Sequence, residues 1–327
     1  MKHLFVALAF IAGISTIIYP QDEKLYDEFK SNFKKKYLSV GLLFQGITDF
    51  QADRVLQGKN GFAVANMRLK LSGEFDFGFG YAVQTNFVKS PSLLDGFMYH
   101  KFNKLLKVQI GQFKAPFSAE ELISSSKIDF VNRAQVNLLA LKRQIGLMVA
   151  LNTDNKLINF NAGIFNGNGT NTSNDNNNFL YAARLLVKPS IGSEDKLEIA
   201  GNGAYSIDSN DKINGKRTVF GADFRLEKSN FLLSSEFIYQ KIENGLVYKS
   251  SGYHITAGYK LSDKIQVLGR WDSFTPDLDL QSESELIIAG LNIWPTSVTE
   301  FQINYIINTD DSDFEHHRIL INSQVAL

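Results

Sequence analysis

The residues able to do chemistry are sparse in this 327-residue chain, and their spacing sets up few reactions. Of five histidines, His3 lies at the N-terminus, His100 and His254 read as inward positions of separate strands, and His316 and His317 adjoin the last strand. Hydrolysis through a serine nucleophile needs a histidine beside the hydroxyl and a carboxyl or amide partner behind it. His254 stands among many serines, a combination that chance supplies easily in a strand-rich chain. Asp310, Asp311, Asp313, Glu315, His316 and His317 could hold a divalent ion, although a solvated loop uses the same residue types. The absence of cysteine excludes disulfides, thiolate metal sites, a cysteine nucleophile and a lipidated N-terminal cysteine. Asn168-Gly-Thr170 and Asn171-Thr-Ser173 match glycosylation sequons but read as an Asn-rich loop. Gly201-Asn-Gly203 lacks the third glycine and the following helix of a dinucleotide site, and no P-loop is present. No catalytic residue, metal or cofactor is expected.

What remains is charge placed on one parity. Lys plus Arg equals Asp plus Glu at 34 each, so there is no overall basic bias for nucleic acid, and any useful charge is local. In Ala65 to Gly73, Ala65, Met67, Leu69 and Leu71 alternate with Asn66, Arg68, Lys70 and Ser72. Alternate strand residues face opposite sides, giving one apolar and one polar face. The pattern recurs at Val219 to Leu226, at Ser251 to Lys260 and in the final strand. The polar parity carries Arg68, Lys70, Lys107, Arg184, Arg225, Lys260, Arg270 and Arg318 against Asp223, Glu236 and Asp272. These basic residues are expected to line a lumen, where arginine attracts anions and can fork around phosphate or carboxylate. Pairing across strands, as Asp223 with Arg225 or Arg270 with Asp272, is the alternative.

The elements that must position these residues are strands. About sixteen alternating segments run from Tyr37 to the end, an even count that suits a barrel with both ends in the periplasm. Every second connection is short, such as Gly73 to Asp76, Asn103 to Lys104 and Ser262 to Lys264. The others read as long polar loops, including Gln51 to Asn60, Asn166 to Asn178, Ser209 to Lys216, Lys241 to Lys249 and Thr275 to Glu283. Aromatic residues near strand ends, among them Phe75, Phe79, Tyr81, Tyr99, Tyr259, Trp271 and Trp294, predict interfacial girdles and lipid outside. Residues 1–20 read as a signal peptide: the apolar stretch Leu4 to Ile18 is roughly fifteen residues, short of the ~20 a spanning helix needs. Residues 21–36 read as an arm or short amphipathic helix, and 37–327 as one outer-membrane β-barrel.

Gly111-Gln-Phe-Lys-Ala-Pro-Phe117 with Glu120, then Asn132-Arg133, then Arg143-Gln-Ile-Gly146, resembles the core signature of the phosphate-selective porin O and P family. Ala162-Gly-Ile-Phe-Asn-Gly-Asn-Gly169, Tyr181-Ala-Ala-Arg184 and Gln324-Val-Ala-Leu327 extend it. The resemblance implies a sixteen-stranded, usually trimeric porin whose third outer loop, here Lys114 to Lys142, folds into the lumen as a constriction bearing Lys114, Glu120, Arg133 and Arg143. Ser118-Ala-Glu-Glu121 on its own terms starts a short capped helix. The family's neighbouring arginines in the second strand are replaced here by Asn66-Met67-Arg68, and the chain ends on Leu327 rather than an aromatic residue. The expected protein is therefore all-β, a transmembrane antiparallel barrel of the outer membrane of a Gram-negative-type bacterium. It passes small anionic or neutral solutes by passive diffusion, contacts outer-membrane lipid, forms a homotrimer and binds no nucleic acid. A soluble or surface β-rich binding protein and an outer-membrane hydrolase using His254 are the rival readings.

Overall fold

Period-two alternation over so many segments can satisfy backbone hydrogen bonds only if each segment finds a partner on both edges, and closure supplies the last pair. The computed structural model describes residues 31, 32, 34–51, 60–192, 194–209, 214–280, 282–311 and 313–327. The leader and residues 21–30 and 33 of the 21–36 arm lie outside the described residues. Sixteen strands follow in order: β1 (Ser39–Gln51), β2 (Gly61–Glu74), β3 (Phe79–Asn86), β4 (Leu93–Lys101), β5 (Leu106–Lys114), β6 (Arg143–Asn152), β7 (Ile158–Phe165) and β8 (Leu180–Val187), then β9 (Lys196–Ser209), β10 (Asn214–Lys228), β11 (Phe231–Asn244), β12 (Leu246–Ser262), β13 (Ile265–Asp277), β14 (Ser282–Thr296), β15 (Thr299–Asn308) and β16 (Arg318–Ala326). Every strand pairs antiparallel with its sequence neighbours, and β1 closes on β16, with Leu43 opposite Ala326 and Gln51 opposite Arg318.

The faces separate as the alternation requires. Met67, Ile110, Phe220 and Ile287 are about half exposed on the outside, while Asn66, Gln109, Val219 and Ile288 beside them are buried within. Most of the large exposed side chains are apolar, an outer surface suited to hydrocarbon rather than water. The apolar core lies inside the barrel. The 115–142 connection, called loop 3 below, carries helix α1 (Ala119–Leu122) and a 3-10 turn (Gln135–Leu139). Its Phe117, Val136, Leu139 and Leu141 pack against inward Phe165, Leu180, Val219 and Ile238. A second cluster sets Phe130 against Leu232, Leu268 and Ile288.

Two expectations need correction. Two connections read as long loops are mostly strand: β11 and β12 meet at Gly245, whose φ of 69° makes a tight hairpin, and β13 and β14 take up most of Thr275 to Glu283, while of Ser209 to Lys216 the described ends belong to β9 and β10. Polar residues at these strand ends mimic loop composition because they stand beyond the apolar band. Tyr99 and His100 also exchange faces. Pairing of Tyr99 with Gly80 turns Tyr99 inward, where its hydroxyl donates to Glu74 at 3.0 Å, and Gly80 leaves the space its ring occupies. His100 consequently points outward between Phe79 and Phe102, with ring centroids at 4.3 and 4.4 Å.

Candidate functional site

Loop 3 is tied to the wall by side chains from many strands. Ser118 caps α1 by accepting from the Glu121 amide at 3.1 Å, and the buried Glu236 carboxylate of β11 accepts from the Ala119 and Glu120 amides at 3.0 and 2.9 Å. Asp272 of β13 does the same for the Gln135 amide, at 3.0 Å to each oxygen. Glu236, His254 and Asp272 form one inward row across β11 to β13, set by register. Between these anchors the extended stretch is held mainly by amides. Gln45 donates to the Ser125 carbonyl at 3.2 Å, Gln324 to Ser126 at 3.1 Å, Gln302 to Ile128 at 2.8 Å and Asn292 to Asp129 at 2.9 Å. Asn304 accepts from the Val131 amide at 2.7 Å, and Arg225 forks onto Asp129 at 2.8 and 3.2 Å. Gly290 and Gly252 make this approach possible, since a Cβ on either would lie 2.9 Å from the Phe130 ring or 3.1 Å from the Val136 Cα.

The hydrogen bonds run from β10 round to β1 and resume at β5 and β6, where Lys114 donates to the Ile123 carbonyl at 2.9 Å and Gln144 to the Leu141 carbonyl at 2.8 Å. Toward β7–β9 the loop makes apolar contact instead. Among the described residues, no hydrogen bond joins β2, β3 or β4 to residues 115–142. The inward face of those three strands carries Arg68, Lys70, Gln84, Asn86 and Asp95. Arg68 donates to Asn66 at 2.7 and 3.0 Å, and Lys70 has no side-chain partner among the described residues.

The cations expected to line the lumen differ in company. Arg184 is buried and forks onto Asp223 at 2.5 and 2.8 Å, reaching across Asn202. Arg225 is taken by Asp129 and Glu227. Arg270 is buried with both terminal nitrogens 3.3 Å from the Asn132 carbonyl, Asp272 at 3.5 Å and the Phe130 ring centroid at 4.4 Å. Arg318 is forked by Asp49. Lys107 donates to Gln109 at 3.2 Å near the Tyr99 ring, and Lys260 is exposed. Lys114 and Arg143 prove to be the end of β5 and the start of β6 rather than loop residues; Arg143 pairs with Asp95 of β4 at 2.8 and 3.2 Å. Glu120 sits 3.7 Å from His254, and Arg133 donates to the Ile123 carbonyl at 2.7 Å. Burial pushes the Glu121 carboxyl up, but Lys142, Lys114, Arg133 and Arg143 around it outweigh this and hold it below its ordinary range. Desolvation lowers Lys142 and Arg133 in the same cluster.

Sequence reasoning missed the docking role of Asp129, Glu236, Asp272 and the wall amides. Inward parity marked the two wall carboxylates, but only register places them in one row. His254 is buried, with Thr256 Oγ1 3.4 Å from its Nδ1, and no serine hydroxyl lies within hydrogen-bond reach of its ring among the described residues. His316 pairs with Asp311 at 2.6 Å, and among the described residues no group of three potential metal ligands assembles.

Comparisons with known proteins agree with this geometry. The profile of the phosphate-selective porin O and P family matches residues 40–197. The anion-selective porin from Comamonas acidovorans superposes with a TM-score of 0.71 at 11% identity, covering 90% of this chain and 100% of that one. Pseudomonas putida OprB gives 0.64 at 12% identity, covering 92% and 97%. The trimer form of OmpT, an outer membrane protein of Vibrio cholerae, gives 0.62 at 12%, covering 89% and 99%. These likenesses describe the fold. No curated protein sequence matches the chain.

Proposed function

The chain, whose residues 40–197 belong to the phosphate-selective porin O and P family, is an outer-membrane porin, and we propose that solutes diffuse through it passively along the β2–β4 wall. One observation carries this reading: loop 3 is bonded or packed against most of the wall and leaves β2, β3 and β4 without a hydrogen bond to it. The passage then runs between loop 3 and Arg68, Lys70 and Gln84, with Arg133 as the arginine of the loop. Charge counts most where the lumen is narrow and water is partly excluded. Arg68, Lys70 and Arg133 give the passage a mild preference for anions, phosphate among them. Arg184, Arg225 and Arg270 act through the docking of loop 3 and the wall instead, because acidic side chains and loop carbonyls occupy them.

The channel reading assigns His254 to the wall row that docks loop 3, its ring beside Glu120 and Thr256, rather than to catalysis. The leader is cleaved during export, and the barrel assembles as a homotrimer, the form in which the similar OmpT of Vibrio cholerae has been solved. Reversal potentials across a KCl gradient in planar bilayers test the selectivity. Wild-type channels should favour chloride, and a cation-selective reversal potential removes the anion reading.

A further inference from the structure

The ammonium group of Lys114 is held by backbone oxygens. From the end of β5 its Nζ donates to the Glu121 carbonyl and to that of Ile123 at 2.9 Å, with the Leu122 carbonyl at 3.5 Å. The side chain is 16% exposed, and the Glu121 carboxylate comes no closer than 4.0 Å. Carbonyls rather than an acid therefore take up this cation. Helix α1 is a single turn whose last carbonyls have no N–H partner within it, and a turn this short does not persist by itself. Ile123 follows it in an extended conformation, φ −59° and ψ 144°, so the turn ends without the left-handed glycine that often closes a helix. Lys114 supplies the donors from the wall, at the end opposite to Ser118 and Glu236. The Ile123 carbonyl is shared: Arg133 donates its Nη2 to the same oxygen at 2.7 Å. One chain of contacts thus runs from the barrel wall through Lys114 and Ile123 to Arg133. Lys142, at the other root of loop 3, meets the Glu121 carboxylate at 3.4 Å with 45% of its own side chain exposed.

We propose that Lys114 is a positioning residue of the constriction: it fixes the end of α1 and, through the Ile123 carbonyl, holds Arg133, instead of lining the passage with its own charge. The inference rests on the porin reading for its effect on selectivity, whereas the pinning of α1 does not depend on conduction. An ammonium is a compact donor that serves three convergent carbonyls, while a guanidinium spreads its N–H groups over a flat fork. Keeping the charge and changing its shape therefore separates positioning from charge.

Lys114→Met and Lys114→Arg, in barrels that keep the heat-dependent gel shift of a folded protein, test this by two readouts. Hydrogen exchange of the Leu122 and Ile123 amides, which bond the Ser118 and Ala119 carbonyls, should accelerate about tenfold in both variants, the equivalent of one lost charge-assisted hydrogen bond. Across a KCl gradient both variants should move the reversal potential toward cations, and in an Arg133→Gln background Lys114→Met should add little further shift. Wild-type exchange and wild-type reversal potential in Lys114→Arg, or full additivity of the Lys114→Met and Arg133→Gln shifts, overturns the proposal, because Lys114 then acts by its own charge. Faster exchange in both variants with a reversal potential that Arg133→Gln leaves unmoved upholds the pin and removes Arg133 from the passage, so this inference and the proposed selectivity fail on different measurements.

Discussion

Arg133 and Arg318 carry the same charge in different company. Arg318 is forked by Asp49 near the rim, whereas Arg133 lies in loop 3 with one nitrogen lacking an acceptor. Arg133→Glu should therefore move the reversal potential toward cations more than Arg318→Glu does. Debye screening over roughly 10 Å at 0.1 M salt weakens both effects as salt rises, though less for the loop charge. Equal shifts from the two variants would place Arg133 outside the passage. Parity alone located the inward cations in the sequence, because it depends only on counting by two. Their partners were illegible for a physical reason. Arg184 meets Asp223 across an intervening strand, and Arg225 meets Asp129 across 96 positions, so pairing follows from closure and loop docking rather than from spacing.

Loop 3 is held by carboxylates, amides and two close approaches at glycine. Leucine at Gly290 meets the Phe130 ring, and overpacking of this kind costs about 1–3 kcal/mol. Gly290→Leu should loosen the loop and raise single-channel conductance or its noise while the barrel still assembles; unchanged current traces would show that the loop does not bound the passage. Asp129→Asn weakens a charge-assisted contact worth about 1.5–3 kcal/mol and should act in the same direction. Acid provides an independent probe. Glu121 is held below its ordinary carboxyl range by the surrounding cations, so its ionised form stabilises the docked loop. That contribution is full above the unfolded value of about 4.3 and is lost as pH falls through the lower docked value. Current noise should rise on acidification below that range, and Glu121→Gln should remove the dependence; an identical acid response in the variant assigns it to another group. The loop's length, apolar content and Ser118 cap were readable from sequence. The strands that receive it were not, because register brings Glu236, His254 and Asp272 into one row.

At the scale of the molecule, sixteen alternating segments made the barrel legible, while strand height was not. Strand β12 has 17 residues against 8 in β3, and polar residues beyond the apolar band looked like loops. A closed barrel leaves no edge for SDS to open, so unheated protein should migrate faster than boiled protein, and loss of that shift would count against the fold. Leu69→Arg puts a charge on the outer face at a cost of about 2–4 kcal/mol near mid-bilayer and should block assembly, while Gln84→Arg, inward and paired in register with Asp95, should be tolerated. The central claim is that the open route lies against β2–β4 with loop 3 sealing the far wall, and a chain without cysteine allows a direct measurement. In planar bilayers, a thiol reagent added to Gln84→Cys channels should sharply reduce the current, and Thr256→Cys channels, whose site is buried beneath loop 3, should be unaffected. Block at Thr256→Cys with none at Gln84→Cys would contradict the account.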